Sequence, residues 1–132
     1  MNFDALATAW APRLLSILRI MTGLLFLQHG TAKLLKLPVM PMFANLSLTS
    51  LPGIAGILEL VGGVLIILGL FTRSIAFVLS GLMAVAYFMA HAPRGFYPIL
   101  NAGELAILYC FVFLYFAAAG PGPWSVDAAR RK

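Results

Sequence analysis

The sequence predicts an all-α membrane protein: a four-transmembrane-helix bundle forming a single integral membrane domain over residues 1–132. Of the 132 residues, 62% are hydrophobic and only 10% charged, whereas soluble domains run at about 45–50% apolar and about 25% charged. Apolar stretches of roughly 20 residues, the length that crosses a bilayer, alternate with short breaks rich in proline and glycine. The stretch from Pro52 to Arg73 is nearly uniform in this respect and carries one carboxylate, Glu59, well inside it. A charge at mid-membrane costs about 2.5–3.5 kcal/mol on insertion scales, so Glu59 must be protonated, paired or turned toward protein.

Taken in order, Met1 to Pro12 is a short amphipathic lead, with Trp10 and Arg13 placed as interfacial anchors. No basic region precedes a short apolar core, so no cleaved signal is expected. The first helix spans about 13–35 and contains Arg19, His29 and Lys33. Arg19 is near enough to the helix start to snorkel to the headgroups, and a functional role is equally compatible with its position. Pro38, Pro41, Asn45, Ser47, Thr49 and Ser50 break the pattern before the second helix, about 52–71. This longest connection is suited to lying on the membrane surface, either as an ordinary connector or as a cover over a site. Within the second helix Gly56, Glu59, Gly62 and Gly63 share one face, and small residues there let another backbone come close.

A very short turn, Leu70 to Arg73, makes the second helix and the third, about 73–91, antiparallel neighbours. Ala76, Ser80 and Ala84 form its small-residue stripe. Pro93, Gly95 and Pro98 then interrupt the chain, and a fourth helix runs over about 101–119. Asn101 with Glu104 fits a capping box at its start. Gly120-Pro121-Gly122-Pro123 ends it.

The formal net charge is +5. The cations are scattered over loops and helix ends without a basic face, which argues against nucleic acid as a partner and leaves the lipid bilayer. Cys110 is the only cysteine, so there is no intrachain disulfide. Arg13, Arg19, Arg73, Arg130, Arg131 and Lys132 fall on the side of the termini, against Lys33, Lys36 and Arg94 opposite. By the positive-inside rule both termini are cytoplasmic.

That orientation puts His29, Glu59, His91 and Glu104 in the outer half of the membrane. Each half of the chain has an odd helix ending in a histidine, a break, and an even helix opening on a glutamate. Residues 53–60 (GIAGILEL) and 99–105 (ILNAGEL) echo one another as a weak two-helix internal repeat. Four titratable groups at one end favour a shared polar pocket. Histidine and lysine donors suit the carbonyl oxygens of a quinone, and a histidine beside a carboxylate exchanges protons near neutral pH. Phe26, Met83, Tyr87, Phe88 and Tyr97 are available to pack around its ring. The spacing matches no metal motif, and Lys33 opposes a cation, so no metal ligands are expected.

Several short motifs carry a resemblance over about Arg13 to Asp127. They are His29-Gly30 with Lys33, then Gly56, Glu59, Gly62-Gly63 and Gly69-Leu-Phe-Thr72-Arg73, followed by Met83, Tyr87, His91-Ala-Pro93 and Asn101-Ala-Gly103-Glu104. In this order and spacing the chain resembles the DoxX family of small four-helix membrane proteins. The resemblance implies a bacterial inner-membrane protein associated with quinone-linked or thiol redox systems, and it supplies no catalytic residues. Two readings follow. One is a redox-associated subunit binding a quinone-like cofactor through His29, Lys33, Glu59, Tyr87, His91 and Glu104, in company with a redox partner protein. The other is a non-enzymatic scaffold or small transporter whose His and Glu groups are structural. Glycine-rich faces also suit a homo-oligomer.

Overall fold

The structure is a computed structural model that describes residues 2–131, and every regular element among them is helical. The longer helices are α1 (Phe3–Leu34), α2 (Leu51–Leu68) and α3 (Thr72–Ala86); α3 runs on through a π-helical turn, Tyr87–His91, and a 3-10 turn, Ala92–Arg94. A 3-10 turn, Pro41–Phe43, lies between α1 and α2, and a short α4 (Pro98–Asn101), the apolar α5 (Glu104–Ala119) and a short α6 (Val126–Arg130) complete the regular elements among the described residues. The first three helical stretches are long and apolar enough to cross a membrane, and α5 adds a shorter apolar helix of 16 residues. The lipid-facing character is visible on α1, where Leu14, Met21 and Leu25 are exposed, as bilayer-spanning helices require.

Helix α1 begins ten residues earlier than the sequence pattern suggests. The Asn2 side chain caps it by accepting from the Ala5 amide at 2.8 Å, and Asp4 sits in its first turn, where the helix dipole favours a carboxylate. The residues read as a lead are thus helical from Phe3, with Pro12 inside. The break between α4 and α5 is likewise unexpected. Ala102 adopts a left-handed φ of 60°, and Asn101 accepts from the Gly103 amide at 2.8 Å instead of capping with Glu104. The anticipated capping box does not form.

The chain divides into two compact units, one made of residues up to Thr72 together with those from Pro121 onward, the other of Arg73–Gly120. In the first, α1 and α2 pair closely. A Cβ on Gly30 would lie 2.5 Å from the Leu60 amide nitrogen and one on Gly63 would lie 3.0 Å from Leu27 Cα. Only a missing side chain permits such an approach. Gly30→Val should therefore lower stability by about 3 kcal/mol, the upper end for overpacking, as read by thermal unfolding in detergent micelles.

The other end of this hairpin is closed by the C-terminal segment. Arg19 does not snorkel: it is 1% exposed. Its guanidinium donates to Ile66 O at 2.9 Å and Ile67 O at 3.3 Å, to Trp124 O at 2.7 Å, and to Pro121 O. Buried Ser16 accepts from the Trp124 amide. Asp127 on α6 accepts from the Phe71 and Thr72 amides, both at 2.9 Å, capping α3 from a distant part of the chain. The Asp127 amide returns a bond to Gly69 O, and Arg130 lies over the Phe71 ring. The cation expected at Lys132 lies outside the described residues.

Partial burial alone would raise the Asp127 carboxyl, but the Thr72 and Phe71 amides and the Arg130 charge outweigh it and hold the group below its ordinary value of 3.8. A depressed native pKa contributes stability above the unfolded value and loses it as pH falls through the native one. Asp127→Asn should accordingly be less stable than the parent at neutral pH. The difference should shrink as pH drops below about 3.8, in paired unfolding curves.

In the second unit Ala76, Leu79 and Met83 of α3 are buried, as are Tyr109, Phe113 and Phe116 of α5. The Ser80 hydroxyl donates to Cys110 O at 2.7 Å, and Arg73 donates to the terminal carbonyls of α5, Ala117 O and Ala118 O. That satisfies acceptors a helix end otherwise leaves unpaired.

Candidate functional site

The six residues singled out by sequence fall into both units. In the first, Lys33 on α1 and Glu59 on α2 form an ion pair, Nζ to Oε1 at 2.6 Å, with side-chain exposures of 14% and 4%. Helix α2 brings Glu59 here because Gly53, Gly56, Gly62 and Gly63 share its buried face, so the carboxylate is drawn to the helix partner. The second oxygen, Oε2, is buried without a hydrogen-bond partner among the described residues. His29 stands one turn before Lys33 on α1 and is half-buried.

Above the pair runs the connection between α1 and α2. The Lys33 ammonium lies 5.7 Å from the centre of the Phe43 ring, a cation–π distance. Lys36 donates to Lys33 O at 3.2 Å and to Phe43 O. Neither Lys36 nor Phe43 belongs to the binding set expected from the sequence. Phe43 as the single aromatic residue of the 35–50 connection is the signal that points to it.

In the second unit Tyr87 and His91 occupy the π-helical turn. Their rings stack at 6.3 Å with an interplanar angle of 23°. His91 Nδ1 pairs with Asn101 O at 2.9 Å. Asn101, fully buried, donates to the Tyr87 hydroxyl at 3.2 Å and to Gly95 O at 2.9 Å. Asn101 is the organiser of this knot and was read by sequence only as a cap. A Cβ on Gly103 would press within 2.6 Å of the Tyr87 ring. Glu104 is the first residue of α5 and is exposed, unlike Glu59, so the two glutamates of the anticipated repeat have different surroundings.

Long apolar helices bearing a buried lysine–glutamate pair define an integral membrane protein with a polar centre inside it. The chain belongs to the DoxX family, whose model matches residues 14–92, a span that includes His29, Lys33, Glu59, Tyr87 and His91. It is also 46% identical over 122 residues to an uncharacterized protein of Haemophilus influenzae, the match covering 89% of this chain and 91% of the relative. No solved structure matches it.

Proposed function

We propose that this DoxX-family protein is a redox-associated subunit of the bacterial inner membrane, with both termini cytoplasmic, and that it binds a quinone-like headgroup at Lys33 and Glu59. One observation carries the reading: a buried carboxylate has one oxygen committed to Lys33 and the other, Oε2, unpaired. A buried acceptor left without a donor costs about 1–3 kcal/mol or more, and a ring hydroxyl would satisfy it. Lys33, with three N–H donors, can serve a ring carbonyl while holding Glu59. Such a pair recognises both forms of a quinone and is placed to exchange a proton with the reduced one. Electrons would pass to or from a partner redox protein. The orientation is supported by Arg13, Arg73, Arg130 and Arg131 near the termini and the α2–α3 turn.

The tight contact of Gly30 with Leu60 favours a second reading, in which the pair only ties α1 to α2. Quinone extraction from protein purified in lipid, followed by titration with a short-chain ubiquinone analogue, separates the two. Glu59→Gln should weaken binding about tenfold or more, as loss of a charge-assisted hydrogen bond implies. A parent protein that neither carries nor binds a quinone would sink the proposal.

A further inference from the structure

The connection between α1 and α2 does more than join them. It is pinned at its first end, where the Leu37 amide donates to Thr31 O at 3.1 Å and the Thr31 hydroxyl donates to Leu37 O at 2.6 Å. At its far end it is pressed against α2, since a Cβ on Gly53 would overlap Ser47 O and Leu48. Between these points the span is held to the hairpin by Phe43, whose ring faces the Lys33 ammonium, and by Lys36, which bridges Lys33 O and Phe43 O. Around Phe43 the neighbours Met42 and Val39 are 71% and 79% exposed. Against the protein itself the centre of the span therefore rests on the Phe43 ring and a few polar contacts, with little apolar burial on the hairpin, which is the condition for local opening.

We infer that residues 35–50 are a gated lid over the Lys33–Glu59 pair, with Phe43 as the gate and Lys36 as its latch, so that a ligand enters from this end of the hairpin. Closed, Phe43 shields Lys33 and its ion pair from water. Opening exchanges the Lys36 bonds for hydration and moves the ring off the ammonium. The lid would serve the quinone site proposed above, but its existence does not depend on what the site holds.

The test uses carboxyl chemistry and no ligand. Intact protein in lipid nanodiscs is treated with a water-soluble carbodiimide and an amine nucleophile, and modification of Glu59 is timed by mass spectrometry against exposed Glu104 in the same chain. Phe43→Ala and Lys36→Met should each speed Glu59 modification about tenfold, the effect expected for losing a charge-assisted contact that favours the closed state. Phe43→Leu, which keeps apolar bulk but loses the ring face toward Lys33, should fall between the parent and Phe43→Ala, and Glu104 should react alike in all. Equal Glu59 rates in parent, Phe43→Ala and Lys36→Met would overturn the lid. Modification by a lipid-soluble carbodiimide alone, unaffected by these substitutions, would overturn it too and place entry within the bilayer. A lid that passes this test in a protein without quinone would refute only the ligand.

Discussion

Arg19→Met is expected to unfold at a markedly lower temperature than the parent and to release the C-terminal segment to proteolysis. The guanidinium fills a space bounded by four backbone carbonyls, of Ile66 and Ile67 at the end of α2 and of Pro121 and Trp124 beyond α5. Both α2 carbonyls lie at its negative dipole end; Ile66 O also accepts from the Gly69 amide at 3.1 Å, whereas Ile67 O is one of the terminal carbonyls that no amide within α2 reaches. Removing the one side chain that reaches all four leaves Ile66 O with its Gly69 amide donor but takes the guanidinium from Ile67 O, Pro121 O and Trp124 O, at about 1–3 kcal/mol for each acceptor left unmet before water enters. A net loss of at least about 3 kcal/mol is expected. Arg19→Lys should rescue little, because an ammonium is a compact donor without the planar fork that spans these positions. Cleavage after Trp124 or Arg130 reports the released segment. A variant that melts and resists protease like the parent would show that the carbonyls need no cation.

Lys33→Met should be about as damaging, and for a different reason. It leaves the Glu59 carboxylate 3% exposed with neither oxygen partnered, and breaking a buried pair from one side costs about 3–5 kcal/mol. Adding Glu59→Leu to Lys33→Met should restore most of that loss, since a buried pair replaced by apolar groups is often neutral. The double variant is therefore the informative one. It retains the hairpin while abolishing the polar centre, and unfolding in micelles measures the recovery directly.

Composition and the glycine spacing made the all-helical membrane class and the inward face of α2 legible in the sequence. Glu59 was legible for the same reason, as a charge an apolar helix could not leave in lipid. Its partner was less so. Lys33 near the end of α1 fits an interfacial anchor equally well, and only the pairing of α1 with α2 shows that it turns inward. Arg19 resisted prediction because its acceptors are backbone carbonyls more than forty residues away, and carbonyls leave no mark in residue identity. The same is true of Asp127, whose partners are the amides of Phe71 and Thr72. Phe43 and Lys36 were hidden in a connection without periodicity, where side-chain placement is set by tertiary contacts. The π-helical turn at Tyr87–His91 was missed because one extra residue in a helical turn changes no composition signal.

In the proposed function the Lys33–Glu59 pair holds a ligand and is more than a tie between α1 and α2. The most direct measurement is binding of a short-chain ubiquinone analogue to the folded Lys33→Met/Glu59→Leu protein in nanodiscs, beside the parent. The expected result is saturable binding by the parent and none by a double variant of near-parental stability. Equal affinity in the two proteins would contradict it.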